Sequence, residues 1–225
     1  KEEVLTRIET LGHLNDDIVK MVNACTRLSQ VEDIYRPYKQ KKKTRASVAI
    51  AAGLEPLAKT LLSLPRTFNE KDIDAYLNDT ITSREEALQG AKDIIAEKIS
   101  NDMTVRNKIV DSMMHYGRLV TSKKKNAIDE KMTYKMYYDY SENVSRIATH
   151  RIMAIDRGEK EKILTVSINI NEDYIKTFVS RRYIKFPKSP TAKYVDEAID
   201  DGLKRLAYPS LERLVRNTLT EKAQE

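Results

Sequence analysis

Three histidines, one cysteine and a few carboxylate doublets are the side chains through which this chain could do acid–base, nucleophilic or metal chemistry. His13, His115 and His150 are far apart, and none belongs to a ligand pair such as HExxH. A single cysteine, Cys25, rules out zinc clusters built from paired Cys–x–x–Cys motifs and any disulfide within the chain. The doublets Asp16–Asp17, Glu85–Glu86 and Asp200–Asp201 fall in stretches of helical pattern, where neighbouring side chains point about 100° apart and do not converge on one ion. Their ordinary roles there are complementing the helix dipole and keeping the surface soluble. GxSxG, Walker and GxGxxG motifs are absent. The expectation is a chain that is not an enzyme and uses no cofactor or metal. A site assembled from acids distant in sequence stays open as the alternative.

The stronger chemical signal is positive charge. Residues 31–45 read VEDIYRPYKQKKKTR, and Arg36, Lys39, Lys41, Lys42, Lys43 and Arg45 occur there with no acid between them. A second run, acid-free from 181 to 193, holds Arg181, Arg182, Lys185, Lys188 and Lys193. Lys123–Lys125 form a third. Tyr35, Tyr38, Tyr183 and Phe186 are interleaved with the first two runs. Lysine and arginine neutralise phosphates, and aromatic rings stack on unpaired bases, so this mixture suits nucleic acid without sequence preference. Each feature also has a plain structural reading: tyrosines around a proline pack on a core, and lysine runs face water. The tyrosines at 134, 137, 138 and 140 are read as a half-buried packing face.

These runs need a scaffold, and the sequence describes a helical one. The 225 residues carry only six glycines and six prolines, with 33% charged residues and a net charge of +6. That charge permits nucleic-acid binding without demanding it. Apolar residues recur at helical spacing from Val4 to Leu11 and from Ile18 to Cys25, the second stretch behind an Asn15 cap. Ser29 with Glu32 and Ser83 with Glu86 read as capping boxes, and Pro37 closes the third helix. Asn69 is read as the cap of a helix through Leu77, and Gly53, Gly117 and Gly158 as stops. His150 and Arg151 are expected to bond neighbouring backbone. Ser189–Pro190 reads as the start of a helix carrying Val195, Ile199, Leu203 and Leu206, and Pro209 opens another with Leu211, Leu214, Val215 and Leu219. The period changes at 163–170, ILTVSINI, where alternation predicts a strand with one buried face; Arg118–Ser122 or a segment outside the chain could pair with it. The prediction is a mainly α, multi-helix scaffold with one small β element. Its expected division is a helical region 1–145 and a helix–strand–helix region 146–225 leading into a further domain. No apolar run approaches the roughly 20 residues of a membrane helix, so a membrane partner is not expected.

Several long motifs resemble one family. VEDIYRPYKQKKKTRASVAIAAGLEPLA at 31–58, EALQGAKDIIAEKIS at 86–100, THRIMAIDRGEKEKIL at 149–164 and YPSLERLVRNTLTEKAQE at 208–225 are similar, in order and spacing, to the bacterial transcription accessory protein Tex. The resemblance implies a cytoplasmic protein linked to transcription, with RNA or DNA and possible transcription machinery as partners. It also implies that resolvase-like, helix-hairpin-helix and OB-type RNA-binding domains belong beyond this segment, and it hands over no active site. Two functions follow as expectations: a scaffold with weak, sequence-independent nucleic-acid binding through Arg36–Arg45 and Arg181–Lys188, or a protein-docking scaffold without that contact.

Overall fold

The computed structural model describes residues 1–39 and 42–225, and the side chain of Ser29 lies outside the described set. Contacts divide the chain into two compact units, Lys1–Lys43 and Thr44–Glu225. Among the described residues the architecture is mainly α, eleven helices with one small sheet.

The first unit is built from α1 (Glu2–Thr10), α2 (Asp16–Ala24) and α3 (Leu28–Tyr35). The predicted Asn15 cap is present: its Oδ1 accepts from the Ile18 N–H at 2.9 Å. Ile8, Ile18, Val22, Cys25 and Val31 form its small core. The expected Ser29–Glu32 box rests on a side chain outside the described residues; at the start of α3, Gln30 Oε1 accepts from the Thr26 and Arg27 N–H groups. Pro37 does end the helix, through a single 3₁₀ turn at Arg36–Tyr38.

The second unit opens with α4 (Arg45–Ala51) and α5 (Glu55–Leu62), separated by Gly53 at φ +86°. Only glycine takes that left-handed cap without strain. Residues 70–76 form a 3₁₀ segment capped by Asn69, a tighter element than the α-helix predicted there. The long α6 (Arg84–Asn101), capped by Ser83, packs against α4, α5 and the later helices, and α7 (Met103–Tyr116) follows from an Asp102 cap.

The sheet has the order β2–β1–β3, antiparallel throughout, with β1 (Arg118–Lys123), β2 (Asp139–Asn143) and β3 (Leu164–Asn169). The predicted strand therefore exists, and Arg118–Ser122 supplies its partner, with Leu119 opposite Ile168 and Thr121 opposite Val166. Leu164, Val166 and Ile168 are buried, as the alternation requires. The second partner, β2, carries no apolar alternation. Thr121, fully enclosed, donates to the Tyr137 carbonyl at 2.6 Å, and Tyr134 and Tyr137 are buried beside it, so the tyrosine segment is a packing face.

Between β2 and β3 runs α8 (Thr149–Lys160). It does not stop at Gly158. That residue is buried inside the helix, where an added Cβ would lie 2.6 Å from Leu164 Cδ1. The stop is Lys162 at φ +62°: its N–H donates to the Glu159 carbonyl and Ile163 N–H donates to that of Gly158, a paired C-terminal closure. Arg151 also departs from expectation, bonding the Glu142 carboxylate at 2.9 and 3.0 Å rather than backbone.

After α9 (Glu172–Tyr183) comes α10 (Ala192–Asp201), then a π segment at Gly202–Ala207, then α11 (Tyr208–Gln224). The Ser189 hydroxyl accepts from the Thr191 N–H at 3.3 Å, but Ser189 stands two residues before Thr191, the N-cap of α10. The same hydroxyl donates to the Pro65 carbonyl at 2.6 Å, while Thr191 Oγ1 donates to Leu61 at 2.8 Å, so the 186–191 loop is tied to the end of α5. Pro209 lies in the first turn of α11, which continues from the π segment without a break. The wider turn shifts the buried stripe: Leu203, Ala207, Leu211, Val215 and Leu219 are buried, whereas the predicted Leu206 is half-buried and Leu214 exposed.

Candidate nucleic-acid interface

The first basic run straddles the two units. Tyr35 and Tyr38 pack on the small core of the first unit, and the Tyr38 ring lies 5.7 Å from that of His13. Both rings therefore serve packing, and Pro37 fixes the turn that carries the lysines into solvent. Arg36 Nη2 bonds Asp33 Oδ1 at 2.8 Å on an open surface, a pair of little energetic weight. Lys39, Lys42 and Lys43 are exposed and form no ion pair among the described residues. Lys41 lies outside the described residues. Arg45 sits at the first turn of α4 and lines a polar groove with Asp93, Glu97, Arg106 and Arg205, so its charge faces carboxylates of its own unit.

The second run begins in the last turn of α9. Arg182 Nε bonds Asp102 Oδ2 at 2.7 Å, and the Tyr183 hydroxyl donates to the same oxygen at 2.5 Å. These bonds tie the end of α9 to the start of α7, where Asp102 also accepts from the Thr104 N–H at 2.9 Å. Burial pushes the Asp102 carboxyl up, but the donors from Arg182, Tyr183 and Thr104 outweigh it and hold the group below the usual carboxylate range. Burial, then the Asp102 carboxylate, pushes the Tyr183 phenol up to about 12. Arg182 is thus an internal fastener. Arg181, Lys185 and Lys188 are exposed and form no ion pair among the described residues. Lys193 Nζ sits 4.9 Å above the Tyr194 ring, and Lys123 Nζ likewise 4.9 Å above Tyr138.

Other polar groups pair with one another, although Arg151 Nε is buried without a hydrogen-bond partner. Glu142 takes bonds from Arg151 and from the Tyr140 hydroxyl, and Arg216 bridges Asp156 and Glu159 at 3.0 and 2.7 Å. Among the described residues, no group of three or more His, Cys, Asp or Glu side chains could hold a metal ion. No helix among them is long and apolar enough to cross a membrane.

The structure also brings to the second run residues that the sequence reading passed over. Tyr174 and Phe178 lie on α9 ahead of Arg181 and Lys185, and Lys108 of α7 reaches over both rings. The spacing i, i+4, i+7 of Tyr174, Phe178 and Arg181 was the available signal for one helical face, and Lys185 lies just past the helix end. Lys108, from a different element, had none.

The family described as Tex central region-like matches residues 65–225. Over the whole of the chain, a Bacillus subtilis protein named YdcI is 41% identical, the chain spanning 32% of it. Protein YhgF of Escherichia coli is 31% identical over 90% of the chain and 25% of its own length. The transcriptional accessory protein Tex of Neisseria gonorrhoeae is 31% identical over 77% of the chain and 23% of its own length. The chain therefore spans a third or less of these relatives.

Proposed function

Because the chain belongs to the Tex central region-like family, we propose that it is a non-catalytic helical scaffold within a transcription accessory protein, and that it contacts nucleic acid weakly and without sequence preference. The observation that carries this reading is the set of exposed, unpaired cations Arg181, Lys185 and Lys188 at the end of a helix whose orientation is fastened through Arg182, Tyr183 and Asp102. Lys39, Lys42 and Lys43 on the other run supply more charge of the same kind. Preset cations of this sort bind phosphates by releasing counterions, so affinity falls as salt rises, with a slope near −0.7 per contact for single strands and about −0.9 for duplex.

The test is fluorescence anisotropy of labelled RNA and DNA across a salt series, with the Arg181→Gln/Lys185→Gln/Lys188→Gln and Lys41→Gln/Lys42→Gln/Lys43→Gln variants. Loss of the second-run cations is expected to weaken binding about tenfold or more at low salt and to flatten the salt slope by roughly two. Unchanged affinity in both variants would sink the reading. Hydrolysis of nucleic acid that requires added divalent metal and survives repurification would overturn its non-catalytic part.

A protein-docking scaffold is the second reading. It is favoured by Ile128, Met132 and Met136, exposed apolar side chains in the connection between β1 and β2. Nuclease-resistant capture of RNA polymerase that is lost on changing these three to serine supports it over the first.

A further inference from the structure

Tyr174 is 51% exposed and stands on the same face of α9 as Phe178 and Arg181, with Lys185 just past the helix end. Lys108 Nζ lies 4.9 Å from the centre of the Tyr174 ring and 5.2 Å from that of Phe178. Tyr174, Phe178, Arg181 and Lys185 border an open groove of about 810 Å³, whose other walls include Thr177 and one acid, Asp173, and Lys108 reaches its two rings from α7. Arg182 is neutralised by Asp102, so the groove's own balance is Arg181 and Lys185 against Asp173, with Lys108 adding its charge beside the rings. An exposed ring next to unpaired cations matches a ligand that offers flat aromatic faces and phosphates together. A duplex hides its base faces, and an acidic peptide would use the cations and leave the rings idle.

We propose that this face of α9 binds single-stranded nucleic acid, with an unpaired base stacked on Tyr174 and phosphates held by Lys108, Arg181 and Lys185. The proposal rests on nucleic-acid contact by the second basic run and specifies its substrate class. Asp173 stands in the first turn of the helix, so the strand follows the cations toward Lys185 and away from that end. Phe178, half-buried against the core, faces the same Lys108 ammonium.

The test uses the 225-residue chain with fluorescein-labelled oligo(dT) and oligo(U) of about 15 nucleotides, and a duplex of equal length. Tyr174→Leu keeps apolar bulk and removes the ring at an exposed position. It is expected to weaken both single strands about 5- to 100-fold and to leave the duplex within about twofold, while Tyr174→Phe restores binding. Arg181→Gln/Lys185→Gln is expected to weaken all three probes. If Tyr174→Leu binds single strands like the parent while the charge variant loses affinity, stacking is overturned and the basic-run reading stands. If neither variant weakens binding, both fail. A loss confined to oligo(U) overturns stacking in favour of a 2′-hydroxyl contact by the phenol.

Discussion

Replacing Asp102 by alanine is expected to lower unfolding free energy by about 2–4 kcal/mol, from a lost N-cap of about 1 kcal/mol and a partly buried Tyr183 hydroxyl left without its acceptor at about 1–3 kcal/mol. One carboxylate caps α7, anchors Arg182 and receives Tyr183, so no neighbour can take over. Little is added for Arg182, which is 43% exposed and regains water. For a chain of this size the loss corresponds to roughly 4–16 °C in melting temperature, read by circular dichroism. The effect has a pH signature. Asp102 is held below the usual carboxylate range in the folded state, so its contribution is present above the unfolded pKa of about 3.9 and disappears as pH falls through the folded value. The difference between parent and variant should be flat from about pH 5 to 8 and should shrink in acid. A difference that grows as pH falls would refute the assignment.

Gly202→Val is expected to be comparably damaging. Gly202 begins the π segment, and a Cβ there would sit 2.7 Å from the carbonyl oxygen of Ala96 and 3.1 Å from its Cα. The obstacle is the backbone of α6, which cannot rotate aside as a side chain can. Overpacking of this kind costs about 1–3 kcal/mol, with valine at or above the upper end. A fall in melting temperature of several degrees, smaller for Gly202→Ala, is the expected readout, and unchanged thermal stability in both variants would show that α6 yields freely.

Most helices, their order and the main strand were legible because their signals are local. Asn15 and Asp102 cap as their types suggest, and the alternation of Leu164, Val166 and Ile168 has one buried outcome. The reading failed where one residue type serves two physical ends. Gly158 looks like a stop, but glycine is equally required where a helix passes close to Leu164 and Tyr134. Ser189 looks like a cap, but besides the nearby Thr191 N–H its hydroxyl serves the Pro65 carbonyl, 124 residues away in sequence. β2 is held by pairing with β1 and has no apolar pattern of its own to announce it. For the candidate site, the charges were visible and their fates were not. Arg181 and Arg182 are adjacent and alike, yet one is open and the other bound to Asp102, and only the packing of α9 on α7 separates them.

The π segment has a consequence for what lengths of chain the fold accepts. α10, the wide turn and α11 form one uninterrupted rod, with α10 facing α6 and α5 and α11 facing α8 and α7. A π turn holds one residue more than the α turn it replaces. Removing one residue between 202 and 207 lets that stretch close into an α turn of the same angular span, whereas removing a second rotates everything downstream by about 100°. Leu211, Val215 and Leu219 would swing out of the core, and Arg216 away from Asp156 and Glu159. The stretch can therefore shorten by one residue at most before the two faces that it keeps in phase part company.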